Sequence, residues 1–135
     1  MIDISRGARV YFDANVFIFA MEGNAAFVDA ATSAFKSVAV AQGASLTNEL
    51  TIAECLYKPA AENDERLIAD YERLFASDEV SIVPLDGALA KRAAFGAGAL
   101  GLKLIDAIHY LSALEAGCEC FITADRRIRS SPNLK

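Results

Sequence analysis

Val10-Tyr11-Phe12-Asp13 is a short apolar run that breaks off in an aspartate, and Phe121-Ile122-Thr123-Ala124-Asp125 repeats the pattern near the other end of the chain. Both read as strands with an acid at the exit. Between them, apolar runs alternate with segments of helical period, the pattern of β-α crossover units around a mostly parallel sheet. Strands are expected at 10–12, at 45–47 (very short), at 80–85 and at 120–123. A helix over 24–42 places Phe27, Ala31, Ala34, Phe35 and Val38 on one face. The next helix carries Glu54 and is expected to stop near Lys58-Pro59, because proline disfavours helical geometry in its predecessor and has no N–H for the ladder. Over 62–76, Leu67, Ile68, Tyr71, Leu74 and Phe75 recur at helical spacing, with Glu62 and Arg66 paired on the wet side. Asp86 is placed to cap an Ala-rich helix that Gly96, Gly98 and Gly101 soften at its end. A last helix carries Asp106, with Ile105, Ile108 and Leu111 turned to the core. The expected class is α/β.

With 135 residues, 54% of them hydrophobic, the chain has material for one ordinary core, and a single domain over 1–135 is expected. No stretch approaches the roughly 20 uninterrupted apolar residues of a membrane span, and the N-terminus lacks the basic-then-apolar pattern of a signal peptide. A cytoplasmic protein with no membrane contact is the expectation. Cys55, Cys118 and Cys120, beside one histidine, offer little for a zinc site and read as free, mostly buried thiols. The net charge of −5 argues against a protein that coats nucleic acid through a broadly basic surface. It leaves room for a nuclease. Setting aside Asp13, Glu54, Asp106 and Asp125 leaves 14 acidic against 13 basic residues, so the excess charge is concentrated where a divalent cation would neutralise it.

Those four acids stand out for two reasons. In open parallel sheets, ligands bind outside the carboxyl ends of the strands, where Asp13 and Asp125 fall. One such aspartate is commonly a helix cap; two on strands expected to be neighbours ask for another reason. Glu54 and Asp106 each interrupt an apolar helical stretch, Leu50-Thr51-Ile52-Ala53 with Cys55-Leu56 around the first, Leu104-Ile105 with Ala107-Ile108 around the second. The plain alternatives are a solvated helix face, a favourable macrodipole contact for Asp106, and Glu49 in place of Glu54. Two like charges about 4 Å apart repel by roughly 4 kcal/mol at an effective dielectric near 20, so gathered carboxylates require protons or a cation. Oxygen donors without His or Cys select Mg²⁺ or Mn²⁺. Such a site suits phosphodiester hydrolysis, and no nucleophile triad is needed.

The motifs Tyr11-Phe12-Asp13-Ala14-Asn15-Val16, Thr47-Asn48-Glu49-Leu50-Thr51-Ile52-Ala53-Glu54, Asp106-Ala107-Ile108-His109 and Ile122-Thr123-Ala124-Asp125 together resemble the PIN domain, specifically the VapC-type toxins of bacterial toxin–antitoxin pairs. The resemblance spans essentially the whole chain and rests on order and spacing more than on any one motif. It implies a three-layer α/β/α sandwich with a mostly parallel central sheet. It places Asp13, Glu54, Asp106 and Asp125 on the acidic metal site, Asn15 on the polar residue supporting the first aspartate, and Thr123 on the hydroxyl beside the last. It further implies a Mg²⁺- or Mn²⁺-dependent endoribonuclease cutting RNA such as tRNA or rRNA, usually a homodimer, silenced by an antitoxin whose tail occupies the groove. The chain departs from this pattern at Asn133-Leu134-Lys135, where relatives commonly continue into a further short strand, so the last sheet edge is expected to be truncated or missing.

Other residues have two readings. His109 is three residues after Asp106 and so within reach of the site, but a packing or surface histidine is the preferred reading, since nothing pairs it with a nucleophile. Arg126, Arg127 and Arg129 suit RNA phosphates or an antitoxin, and suit a solvated loop equally. Lys103 is a weaker candidate of that kind. Phe17, Phe19 and Met21 read as core or interface. Two rival functions remain: a catalytically silent PIN fold used as a binding module, against which the full set of acids speaks, and a phosphotransfer domain of haloacid-dehalogenase or receiver type. A dehalogenase relative needs an acid where Asn15 stands, and a receiver needs an acidic pair and a lysine that are not convincingly placed.

Overall fold

Strand β1 (Arg9–Phe12) has Val10, Tyr11 and Phe12 entirely buried. Successive side chains of a strand point to opposite faces, so Val10 and Phe12 enter one core and Tyr11 another. A layer of helices must therefore lie on each side. The computed structural model, which describes residues 3–123, supplies both. After β1 come α1 (Ala14–Glu22), α2 (Val28–Val40), β2 (Ala44–Asn48), α3 (Glu49–Ala61), α4 (Glu65–Ala76), β3 (Val80–Val83), α5 (Gly87–Leu100), α6 (Leu104–Glu115) and β4 (Cys120–Ile122). The strands are ordered β3-β2-β1-β4, and each neighbouring pair is parallel. This is the expected α/β/α sandwich.

The layering follows from crossover handedness. Parallel crossovers are right-handed, so two steps in one direction, β1 to β2 to β3, keep α1 to α4 on the Val10/Phe12 face, where Phe17, Ala34, Val38, Cys55 and Tyr71 pack. The return across the sheet from β3 to β4 puts α6 on the Tyr11 face, its Tyr110 and Ala113 against Tyr11 and Leu46, with α5 packed on α6 through Leu89, Ala93, Ala107 and Ile108. Phe17 belongs to the first core, and Phe19 and Met21 pack partly buried at its edge. The direction of winding reverses between β1 and β4. That reversal opens a crevice at their carboxyl ends.

The helix bearing Glu54 does not stop at Lys58-Pro59. It runs to Ala61 with Pro59 buried inside it. A proline so near the end deprives only the Cys55 carbonyl of its ladder donor, and burial of the ring offsets part of that loss. Glu62 consequently caps α3 instead of riding on α4, whose own cap is Asp64, accepting from Leu67 N at 3.2 Å. The strand expected over 80–85 ends at Val83, before Pro84. Asp86 caps α5 as expected, and Gly101 closes it in the left-handed conformation. Ile108 is buried and Leu111 packs on the core as expected, but Ile105 is 42% exposed, because the core-facing stripe of α6 otherwise runs through Ala107, Tyr110 and Ala113. Cys55 and Cys118 are buried, Cys120 is partly so, and all three are free thiols. No single helix among the described residues is long and apolar enough to cross a membrane.

Gly43 holds the start of β2 against the start of β1. Its N–H donates to Val38 O at 2.9 Å, and a Cβ there would lie 2.5 Å from the Ala8 carbonyl oxygen and 3.2 Å from Val38 Cγ1. Neither backbone can move without disturbing the bond from Ala44 N to Ala8 O, 2.8 Å. Gly43→Ala is expected to lower stability by about 1–3 kcal/mol, read as a lower urea midpoint at unchanged slope.

Candidate active site

Asp13 follows the last residue of β1 at the β1–β4 crevice. Its N–H continues the sheet by donating to Ile122 O at 3.3 Å, and its side chain caps α1, accepting from Val16 N at 3.3 Å. The cap reading is thus correct, but a second contact goes beyond it. The Thr123 hydroxyl, just past β4, donates to Asp13 Oδ2 and ties the two strand exits together. Asp13 is 6% exposed. Burial pushes its carboxyl above the usual range, while the Thr123 hydroxyl, His109 and the Val16 amide pull the other way and Glu54 adds to the rise. Asp13 and Glu54 are therefore close enough to feel each other's charge.

Glu54 reaches this position because α3 starts at the very end of β2. Asn48, fully buried, is the cap, accepting from Leu50 N at 2.8 Å. Glu49, the competing acid, is exposed and accepts instead from Leu85 N at 2.7 Å, fastening the β3–α5 loop. Glu54 lies one turn further, its side chain 33% exposed, with Oε1 2.6 Å from His109 Nε2. His109 is buried, as the packing reading has it, yet it packs on the acid that reading kept it from. Its Nδ1 lies 2.7 Å from the Tyr11 hydroxyl. Burial holds the Tyr11 phenol far above its ordinary pKa, with the Thr47 and Ser112 hydroxyls at the same oxygen. A protonated Tyr11 donating to Nδ1 puts the imidazole proton on Nε2, where it donates to Glu54, a tautomer assigned from the hydrogen bonds.

The polar chain continues behind Tyr11. Asn48 Nδ2 donates to Ser112 Oγ at 2.9 Å, Ser112 Oγ to Ile108 O at 2.7 Å, and Thr47 Oγ1 to Phe12 O at 2.7 Å, with Thr51 Oγ1 2.6 Å from Thr47. Among the described residues every buried side-chain nitrogen and oxygen has a partner. β1, β2, α3 and α6 are thus cross-linked by one satisfied network.

Asp106 is in the first turn of α6, partly exposed, beside a depression lined by Gly101, Leu102 and Lys103. It precedes His109 by one turn and so lies on the same side of the helix. Asn15 is exposed and, with Ala14, Ile18, Ala53, Glu54 and Tyr57, lines an open groove of about 430 Å³. A larger cavity of about 600 Å³ lies at the amino ends of β2 and β3 and contains none of the four candidate acids. Asp125, Arg126, Arg127 and Arg129, with the sheet edge beyond them, lie outside the described residues. Among the described residues no three His, Cys, Asp or Glu side chains gather tightly enough to enclose a metal ion. Asp13 and Glu54, whose charges act on each other, are oxygen ligands of the kind hard divalent cations select.

The sequence contained a signal for what was passed over. Asp106, His109 and Ser112 recur every three residues, a polar stripe on an otherwise apolar helix.

A family model described as the PIN domain matches residues 10–133. Three solved structures share the fold. A toxin–antitoxin complex from Klebsiella pneumoniae superposes with a TM-score of 0.70 at 20% identity, over 93% of this chain and 95% of that one. A sarcin-ricin-loop-cleaving VapC toxin from Mycobacterium tuberculosis gives 0.71 at 12% identity over 87% and 90%. VapBC from Rickettsia felis, bound to a DNA fragment from its promoter, gives 0.67 at 15% identity over 93% and 95%. No curated protein sequence matches.

Proposed function

The chain belongs to the PIN domain family, and from that premise we propose that it is a Mg²⁺- or Mn²⁺-dependent endoribonuclease, the toxin of a type II toxin–antitoxin pair. The observation that carries the proposal is the Asp13–Thr123 hydrogen bond at the crevice where the sheet reverses its winding, with Glu54 near enough to raise the pKa of Asp13, in the place where open α/β sheets bind ligands. Asp13 and Glu54, joined by Asp106 and Asp125, would hold the cation. When bound, a divalent ion supplies an activated water and neutralises charge on the scissile phosphate.

The protein's own residues do the rest. Thr123 and the α1 amide fix the Asp13 carboxylate, and His109 fixes Glu54 through Oε1, leaving Oε2 as the remaining donor. Pre-set ligands of this kind lower the cost of ordering the site when the substrate arrives. Asn15 borders the same groove and is assigned to support Asp13 and the substrate, and Arg126, Arg127 and Arg129 follow Asp125 as contacts for RNA phosphates or an antitoxin. Two of the fold neighbours are a toxin–antitoxin complex and VapBC, and one is an RNA-loop-cleaving toxin, which supports an antitoxin partner and an RNA substrate; a homodimer and a cytoplasmic setting complete the same reading. Family membership gives no support to the phosphotransfer alternative.

The test is cleavage of an RNA panel with Mg²⁺, with Mn²⁺ and with EDTA. Endonucleolytic products are expected with either metal and none with EDTA. Cleavage that persists in EDTA, or no cleavage of any RNA with metal, overturns the proposal.

A further inference from the structure

Of the four tyrosines, Tyr11, Tyr71 and Tyr110 are at most 5% exposed, while Tyr57 is 80% exposed. Tyr57 lies one turn beyond Glu54 on α3, and the two line the same groove. Folding gives no account of this residue. It buries almost none of its ring, and an aromatic is a poorer helix former than Ala, Leu or Lys at an exposed position. The groove beside it is lined by the small or apolar Ala14, Ala53 and Ile18 and by the exposed Asn15. A volume of about 430 Å³ falls within the range of roughly 300–1,000 Å³ that accepts small organic groups.

An open aromatic face, a small apolar lining and a neutral amide next to a carboxylate make poor contacts for a phosphate and good ones for a nucleobase, which presents a π-face to the ring and polar edges to the amide. We propose that Tyr57 is the stacking platform for one base of the RNA strand, adjacent to the phosphodiester that is cut at the Asp13/Glu54 site. The proposal rests on the nuclease reading above and adds a subsite to it. Stacking tolerates any base, so the contact positions the strand without dictating sequence, and it requires an unpaired nucleotide.

The chain contains no tryptophan, so Tyr57→Trp introduces a single fluorophore at the subsite. Titration in EDTA with single-stranded oligouridine or oligoadenosine is expected to quench its emission, whereas an abasic ribose-phosphate oligomer of equal length and charge leaves it unchanged. Tyr57→Ala is expected to weaken RNA binding and raise KM by roughly 10- to 100-fold, with kcat and Mn²⁺ affinity little changed. Tyr57→Phe, which keeps the π-face, should stay close to the wild type. Equal quenching by the abasic oligomer, an unchanged KM in Tyr57→Ala, or quenching by rising protein concentration alone, which would mark the surface as a contact between copies, overturns the stacking site while leaving the nuclease reading intact. Failure of the wild type to cut any RNA removes both.

Discussion

Asp13→Asn is expected to abolish metal-dependent cleavage and yet leave the metal-free protein as stable as the wild type or more so. Asparagine is nearly isosteric, and its Oδ1 keeps the α1 cap on Val16 N. Its amide can face the Thr123 hydroxyl, which then accepts instead of donating. What disappears is a negative charge that is 6% exposed. Burial is the largest cause of the upward shift of this carboxyl, and the sign of the linkage follows. A folded-state pKa above the unfolded value of about 3.9 means that the native state binds the proton more tightly. Stability is therefore highest at low pH and falls as pH rises from the unfolded pKa to the folded one. At neutral pH the ionised side chain destabilises the metal-free fold, and the variant is relieved of that cost. The two melting temperatures should converge as pH drops below about 4. Added Mn²⁺ should raise the melting temperature of the wild type far more than that of the variant, because a ligand bound only by the native state stabilises it by mass action. Cleavage should fall by at least about 100-fold, the upper end of what loss of a mere supporting partner produces. A variant that melts several degrees lower without metal would make Asp13 a structural cap alone, and one that cuts RNA normally would remove it from the chemistry.

The opposition of stability and function at this position also accounts for what was legible in the chain. An aspartate at the exit of a buried strand conflicts with local packing, and such conflicts concentrate where function is placed. Asp13 and Glu54 were readable because they break apolar context within a few residues. The full strand order was not, beyond the expected pairing of β1 with β4, since β3-β2-β1-β4 depends on the handedness of crossovers dozens of residues long and leaves no local trace. The faces of β1 were equally hidden: three consecutive apolar residues buried on both sides of a parallel sheet show no alternation. Ile105 and Pro59 went the other way. Apolar spacing put Ile105, Ile108 and Leu111 toward the core, where tertiary packing kept Ile108 and Leu111 and took Ala107 over Ile105, and the local rule for proline gave way near a helix end where it sacrifices a single bond.

His109 is the packing residue the chain suggested, but its hydrogen-bond partners were hidden for a related reason. Its partner Tyr11 is 98 residues away, in a strand between Val10 and Phe12 where nothing local marks an interior hydrogen bond. His109→Leu is accordingly expected to cost about 2–4 kcal/mol of stability, through the loss of one buried and one part-buried hydrogen bond and an acid left without its donor. For a chain of this length that amounts to a melting temperature lower by roughly 10 °C. Tyr11→Phe removes the hydroxyl that Thr47 and Ser112 also approach, and should cost about 1–3 kcal/mol. The informative quantity is their coupling. If Tyr11, His109 and Glu54 act as one chain, the double variant will be less destabilised than the two singles predict, by about 1 kcal/mol or more. The same argument extends to Glu54→Gln, which keeps a hydrogen-bond acceptor for Nε2 and so should retain most of the stability that His109→Leu loses, while weakening Mn²⁺ affinity. Effects that add within about 0.5 kcal/mol would mean that Tyr11 does not hold the imidazole in place, and the orientation of His109 toward Glu54 would then have to come from the packing of α6 alone.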